Sequence, residues 1–143
     1  MLFKRINRTL AETVFMVVKN VSGSTLTAGY SCVFDVSASV DGVRVTQASS
    51  TDLAAFAGVA DQDIADSAYG RIQVWGYRSS AYIKASTGSS VAGDILVPAA
   101  ASWGMTPATT SGSARGVGFV CEAITASSSS QFATTAKVFI RAI

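Results

Sequence analysis

The stretch RIQVWGY, residues 71–77, alternates apolar and polar side chains. Successive side chains of a β-strand point to opposite faces, so this alternation predicts a strand with one buried face. Ile72 and Val74 are the expected inward residues. The opposite face carries Arg71, Gln73, Trp75 and Tyr77.

The same two-residue period recurs in three other segments. In YSCVFDV, residues 30–36, the predicted shared face holds Tyr30, Cys32, Phe34 and Val36. In GVRVTQ, residues 42–47, Val43 and Val45 alternate with Arg44 and Thr46. In AKVFIRAI, residues 136–143, the face Ala136, Val138 and Ile140 lies opposite Lys137, Phe139 and Arg141.

Turn-forming clusters separate these segments, as in NVSGST at 20–25 and STGSS at 86–90. Asp41-Gly42 is the strongest hairpin signal and predicts a type I′ turn, which needs positive φ at both central residues. No segment of ten or more residues carries a helical apolar stripe with caps. We therefore predict an all-β fold of eight or nine short strands. The predicted domain is a single compact β-barrel, β-tulip or sandwich that is built from hairpins and spans residues 11–143.

Short segments of the chain also resemble one another weakly. LTAGYSCVF at 26–34 and VAGDILVP at 91–98 share an apolar residue, a small turn and a new strand, and IADSAYGRIQVW at 64–75 repeats this with a longer turn. AGVADQDIA at 57–65 likewise resembles VGFVCEAIT at 117–125. The irregular spacing indicates a domain built from hairpins and argues against a solenoid.

The segment 99–114, AAASWGMTPATTSGSA, does not fit the strand pattern and is predicted to be one long loop. Loops of this length in compact domains are often functional. Trp103 and Met105 near its middle are therefore expected to contact a partner.

Charge is concentrated at the N-terminus, where Lys4, Arg5 and Arg8 supply three of the eleven basic residues. The remainder has eight basic and nine acidic residues, so the net charge of +2 belongs to an extended arm, residues 1–10. This arm lacks the apolar stretch of a signal peptide. VFMVV at 14–18 is far shorter than the roughly 20 residues of a membrane helix, so we expect no membrane partner.

The residue inventory argues against catalysis and cofactor binding. The chain has no histidine, which removes the commonest general base and every Ser-His or Cys-His nucleophile. Cys32 and Cys121 lie far apart without zinc-ligand spacing and are predicted to be buried thiols in strands, with a disulfide as the alternative. We predict that the protein is not an enzyme and needs no metal or cofactor.

The acidic stretch DQDIAD, residues 61–66, raises the question of a metal site. An EF-hand loop needs Gly at its sixth position and Glu at its twelfth, where this chain has Asp66 and Ile72. We expect a solvated turn joining two strands, with a loose divalent-cation site as the alternative.

Residues 69–84, YGRIQVWGYRSSAYIK, form the most informative surface candidate. Trp75, Tyr77 and Arg78 combine aromatic and cationic groups, which are the usual anchors of protein interfaces. Single-stranded nucleic-acid grooves use the same types, but the near-neutral body argues against them. Ordinary packing of aromatics within a barrel is the further alternative.

Taken together, the chain resembles the capsid decoration, or cement, proteins of tailed bacteriophages, of the small β-barrel or β-tulip type. The resemblance rests on NVSGSTLTAGYSCVF (20–34), GVADQDIADSAYGRIQVWGY (58–77), VAGDILVP, ARGVGFVCEAI (114–124) and AKVFIRAI, over most of residues 11–143. It implies a non-enzymatic protein, assembled in the host cytoplasm, that binds the major capsid protein on the outer surface of the virion, often as a homo-trimer. The expected contacts are the arm residues Phe3, Lys4, Arg5 and Arg8, the strand residues Trp75, Tyr77 and Arg78, and the loop residues Trp103 and Met105.

Two other classes remain open from the sequence. One is another virion β-protein, such as a tail, neck or head-fibre component, whose copy number would differ from that of a decoration protein. The other is a binding module for glycans or single-stranded nucleic acid that uses residues 69–84. A steep loss of affinity with added salt would identify the nucleic-acid case.

Overall fold

The computed structural model describes residues 12–37, 41–85, 89–108, 116–125 and 132–143, so the predicted arm lies outside the described residues. The structure confirms the all-β fold, with one short 3-10 helix at Leu53–Ala55. Within the described ranges, no helix is long and apolar enough to cross a membrane. The strands are β1 Thr13–Asn20, β2 Ser31–Phe34, β3 Arg44–Thr46, β4 Phe56–Ala60, β5 Tyr69–Ala85, β6 Ile95–Pro98, β7 Met105–Pro107, β8 Gly118–Val120 and β9 Phe132–Arg141.

The nine strands form one mixed sheet that closes on itself twice. Strands β1, β3, β2, β4 and β5 pair in that order, and β5 pairs again with β1. Strands β5, β7, β6, β8 and β9 repeat this order, and β9 pairs back with β5. The chain therefore forms two small five-stranded barrels, called here the first and second barrel, which share strand β5.

Two pairings are parallel, which a set of hairpins alone would not produce. Strand β1 is parallel to β3, and β5 is parallel to β7. A tight turn cannot join parallel strands, so in each case a further strand intervenes in the chain. The consecutive strands β2 and β3, β4 and β5, β6 and β7, and β8 and β9 are antiparallel, as hairpins require.

Strand β5 is long because its two halves belong to different barrels. Its first half pairs with β1 as far as Gly76, and its second half pairs with β9 from Trp75 onward. Ile72 and Val74 are buried in the core of the first barrel, as predicted. At Gly76, where both partners overlap, φ is +102° and an added Cβ would overlap the carbonyl oxygen of Glu12.

The structure confirms the internal similarity predicted from the sequence. Leu26 and Ser90 each begin the motif with an isolated bridge, to Ile64 and Ile124 respectively. A tight turn follows, with Gly29 at φ +88° and Gly93 at φ +99°, and then β2 or β6 begins. The two barrels are therefore structural repeats of each other, about 60 to 65 residues apart along the chain.

The cores of the two barrels correspond position by position. The similar segments AGVADQDIA and VGFVCEAIT, called here the second motif, contain the matched glycines Gly58 and Gly118. A Cβ on Gly58 would approach the Gln73 carbonyl oxygen, and a Cβ on Gly118 would overlap the Phe139 carbonyl oxygen. Close strand approach therefore requires glycine at the same place in both repeats. The matched core pairs include Cys32 with Leu96, Val45 with Met105, Ala60 with Val120, Ile64 with Ile124 and Ile72 with Val138.

Three details of the predicted alternation were wrong. The predicted alternation in β2 is interrupted, because the register shifts between Cys32 and Val33 and both faces of the strand make contacts, so Ser31, Cys32 and Val33 are all buried. Val36, predicted to share the face of Cys32, is half exposed. The alternation in β9 is confirmed, with Ala136, Val138 and Ile140 buried. Gln73, predicted to face outward, is 2% exposed. Its Nε2 donates to the carbonyls of Trp75 (3.2 Å) and Tyr77 (3.0 Å), which offsets the cost of burial.

The Asp41-Gly42 turn also differs from its prediction. Gly42 has φ +70°, but β2 ends at Phe34 and β3 begins at Arg44, so the connection is longer than a two-residue hairpin turn. Instead, the Asp41 carboxylate accepts hydrogen bonds from the backbone N–H groups of Val43 and Arg44, at 2.9 and 3.0 Å. Aspartate here stabilises the turn through its side chain.

The segment 99–114 is not one long loop. Ser102 bridges Ala48, and β7 occupies Met105–Pro107, so the described part of this segment belongs to the second barrel. Met105 takes the place that Val45 has in the first barrel. It is 1% exposed, which removes it as a partner contact.

Both cysteines are free thiols, in different surroundings. Cys32 lies in β2 and is buried, as predicted. Cys121 follows β8 instead of lying within a strand, and it is only half buried. Burial raises the pKa of the Cys32 thiol to about 12, and burial, followed by the charge of Glu122, raises the pKa of Cys121.

We expect one thiol to react with Ellman's reagent in the native protein and a second only in denaturant, because the thiolate is the reactive form. Cys121 should react more slowly than a free cysteine at mildly alkaline pH. In the variant Cys121→Ser the native signal should vanish while one thiol remains in denaturant. Two rapidly reacting thiols in the native protein would contradict the burial of Cys32.

Candidate interaction surfaces

The acidic stretch at 61–66 is a polar turn joining β4 to β5, as predicted. Asp63 accepts a hydrogen bond from the Ala28 N–H at 2.7 Å, and Asp66 accepts one from the Gly23 N–H at 2.8 Å. These carboxylates therefore brace the preceding loop of the first barrel. Among the residues that the structure describes, no three acidic or cysteine side chains converge as a metal site would require.

Asp61 lies between two arginines that the sequence placed on the surface. Arg71 donates to it through Nε at 2.9 Å, and Arg78 lies 3.4 Å from its other oxygen. Arg78 also donates to the Ser80 carbonyl at 2.8 Å, and its side chain is 13% exposed. Burial lowers the pKa of Arg78, and Asp61 opposes that shift. The predicted contact Arg78 is thus largely engaged within the chain.

Trp75 belongs to a row of aromatic rings across the outside of the second barrel, called here the aromatic face. Trp75 meets Phe139 edge to face at a centroid distance of 5.3 Å, and Phe139 stacks on Phe119 at 5.3 Å. Strands β5, β9 and β8 position the three rings, and each ring is half buried. Tyr77 pairs with Phe139 in the sheet and extends the row on the β5 side.

The margins of the aromatic face carry charge and one exposed aliphatic side chain. The Arg141 guanidinium lies 5.9 Å from the Phe119 ring, a distance suited to a cation–π contact. The Glu122 carboxylate accepts the Lys137 N–H, which lowers its pKa, and Glu122 in turn raises the pKa of Lys137. Ile95 pairs with Phe119 in the sheet and is 48% exposed.

A second surface was missed by the sequence analysis and lies on the outside of the first barrel. Val17 is 63% exposed, and Phe15 and Tyr69 are also exposed. Lys19 lies 5.9 Å from the Tyr69 ring, and Arg71 lies 4.6 Å from the Phe15 ring. We call these residues the β1 outer face. In β1 the exposed Phe15 and Val17 alternate with the half-buried Met16 and the buried Val18, a pattern that the uniformly apolar run VFMVV does not reveal.

The remaining predicted contacts have different positions. Trp103 is half buried between the barrels, where its ring stacks on Tyr30 at 6.2 Å and its carbonyl accepts the Ser31 N–H at 2.7 Å. Much of this side chain is therefore used within the chain. The arm residues, which lie outside the described residues, are Phe3, Lys4, Arg5 and Arg8.

Comparison with known proteins shows a similarity in fold but none in sequence. No protein-family model matches the sequence, and no curated protein matches it. Among solved structures, the chain is similar to the N base of the head fiber protein gp8.5 of bacteriophage phi29. The likeness covers 92% of this chain and 96% of that chain, with a TM-score of 0.51 and 12% sequence identity. At this identity the likeness establishes a shared fold.

Proposed function

We propose that this chain is a structural protein of a tailed-bacteriophage virion that attaches to the outside of the head, as the base of a head-fibre component does. The supporting observation is the fold likeness to the head-fiber base, which spans nearly the whole of both chains. The likeness therefore concerns the complete arrangement of two barrels, and a single common hairpin motif would not produce it. The proposed role requires binding without turnover, and we propose no enzymatic activity.

Capsid decoration is the second candidate and shares the same attachment surface. It is favoured by the sequence resemblance described above, whereas the fold likeness favours a head-fibre component. In both cases the proposed partner is the major capsid protein. The arm would supply cationic contacts through Lys4, Arg5 and Arg8, and Trp75 and Tyr77 would supply aromatic ones. Several modest contacts with neighbouring shell subunits would add to a stable attachment.

We expect the purified chain to co-sediment with head shells of its source phage that lack this protein, and to reach saturation. Each exposed ion pair contributes about 0.2–1 kcal/mol, so the triple variant Lys4→Ser, Arg5→Ser, Arg8→Ser should bind about 3-fold to 150-fold more weakly. A triple variant that keeps the charges, Lys4→Arg, Arg5→Lys, Arg8→Lys, should bind like the original chain.

Quantitative gels of saturated shells then separate the two candidates. A copy number close to that of the major capsid protein would identify a decoration protein, and a number well below it would support a head-fibre component. Absence of saturable binding by the original chain would refute attachment to the head.

A further inference from the structure

We propose that copies of this chain associate head to tail, the β1 outer face of one copy covering an open end face on the second barrel of another. The end face consists of Ile95, Phe119 and Gly116, at the β6 and β8 end of the aromatic face. This inference concerns contacts between copies and does not depend on attachment to a phage head.

The first step is a comparison of equivalent positions in the two repeats. Ser31 and Ile95 each lie two residues after the turn glycine of their motif, and Val59 and Phe119 each follow the glycine of the second motif. In the first barrel Ser31 and Val59 are 1% and 0% exposed. In the second barrel Ile95 is 48% exposed and Phe119 is half buried. The same site of the fold is thus closed in one repeat and open in the other.

The second step is to identify what closes the site in the first barrel, which is the second barrel itself. Val59 belongs to the second core, beside Ile83 and Leu96. Next to it, the Tyr82 N–H donates to the Gly29 carbonyl at 2.9 Å, and the Tyr82 ring lies 5.1 Å from the Tyr30 ring. A further barrel of the same kind would therefore close the end face. No third barrel is present among the described residues.

The third step finds the part of another copy that corresponds to Tyr82. Asn20 in β1 and Ile83 in β5 are equivalent inward residues, because Asn20 pairs with Val45 as Ile83 pairs with Met105, and Val18 is therefore equivalent to Ala81. The outward residue before each of them, Lys19 in β1 and Tyr82 in β5, is therefore equivalent too, and Val17 lies next to Lys19 on the same outer face. Val17 is the most exposed apolar residue of β1. A second copy thus presents an uncovered β1 surface where the second barrel presents Tyr82.

Charge at the proposed joint is complementary. Asp94 occupies in the second repeat the position of Tyr30 and precedes Ile95 in the chain, and its carboxylate accepts hydrogen bonds from the Ser90 hydroxyl and the Val91 N–H, both at 2.9 Å. Lys19 lies two residues beyond Val17 on the β1 outer face. Docking that repeats the contact between the two barrels brings the Lys19 ammonium toward the Asp94 carboxylate. It also buries the apolar patches around Val17 and Ile95. Because the two faces differ, the contact is heterologous and forms a closed ring or a filament.

The test uses the two faces separately, in analytical ultracentrifugation of the full chain. The original chain should sediment above the monomer mass of 14.7 kDa. Val17→Glu and Ile95→Glu should each lower the mass to that of a monomer. An equimolar mixture of these two variants should form a dimer and nothing larger, because each variant retains the face that the other has lost. Val36→Glu, at an exposed valine of neither face, should assemble like the original chain.

Both substitutions are at exposed positions, and unaltered thermal unfolding of the isolated variants will verify that they fold. Three results would overturn the proposal. These are an original chain that remains a monomer at its highest soluble concentration, single variants that assemble like the original, and a mixture that contains only monomers. Assembly of one variant alone would indicate a symmetric contact in which the face that it retains meets itself.

Discussion

Replacing Gly76 by alanine is expected to lower the free energy of unfolding by about 3–5 kcal/mol, from backbone strain and steric overlap together. Gly76 has φ +102°, which L-residues rarely adopt. A Cβ at this position would also overlap the backbone carbonyl of Glu12, which a side-chain rearrangement cannot relieve. Since β1 and β9 both pair with this part of β5, any shift would disturb both barrels.

Urea unfolding followed by circular dichroism provides the measurement, with Gly42→Ala as the matched control. Gly42 also has positive φ, +70°, but an added Cβ would meet no atom within 4 Å. The control should therefore cost only the backbone strain, about 1–2 kcal/mol. Equal losses in the two variants would show that close strand approach at Gly76 has no energetic importance.

The second large effect is expected for Ile140→Ala, which should lower the free energy of unfolding by about 2–5 kcal/mol. Ile140 is fully buried in the core of the second barrel, where β9 pairs with both β5 and β8. Truncation removes apolar contacts and leaves a cavity that the closed sheet cannot readily collapse.

Ile143→Ala is the natural control, because it makes the same chemical change three residues later on a side chain that is 76% exposed. Its unfolding free energy should remain within about 0.5 kcal/mol of the original chain. The comparison uses the same urea titration. A small loss for Ile140→Ala, similar to that for Ile143→Ala, would contradict the position of Ile140 in the core.

The strand pattern was predictable where burial follows from local alternation. Ile72 and Val74 in β5, and the inward residues of β9, were identified correctly because the two-residue alternation marks the face that lines a barrel core. Gln73 could not be identified in this way, since its burial depends on β1 and β4 pairing on either side of it. Neither closure into two barrels nor the sharing of β5 has a local signature, because both depend on partners far away in the chain.

The candidate surfaces were also predictable only where residue type or local pattern identified them. Trp75 and Tyr77 were singled out by residue type, and the structure places Trp75 in a row of rings that includes Phe139. The placement of Met105 on an exposed loop was wrong. Residue type and a Ser/Thr-rich neighbourhood suggested a loop, whereas the place of Met105 in the repeat is a core position. Val17 was missed because an apolar run such as VFMVV gives no indication of which of its residues remains exposed.

The sharing of β5 makes the two barrels one cooperative unit. Withdrawing the whole strand opens both closed sheets at once, because its first half completes the first barrel and its second half completes the second. Pulling on either end of the chain would load strands that pair along β5, so that many backbone hydrogen bonds resist the force together. Partial opening is therefore costly throughout the molecule, and the backbone of β5 belongs to the part that opens last.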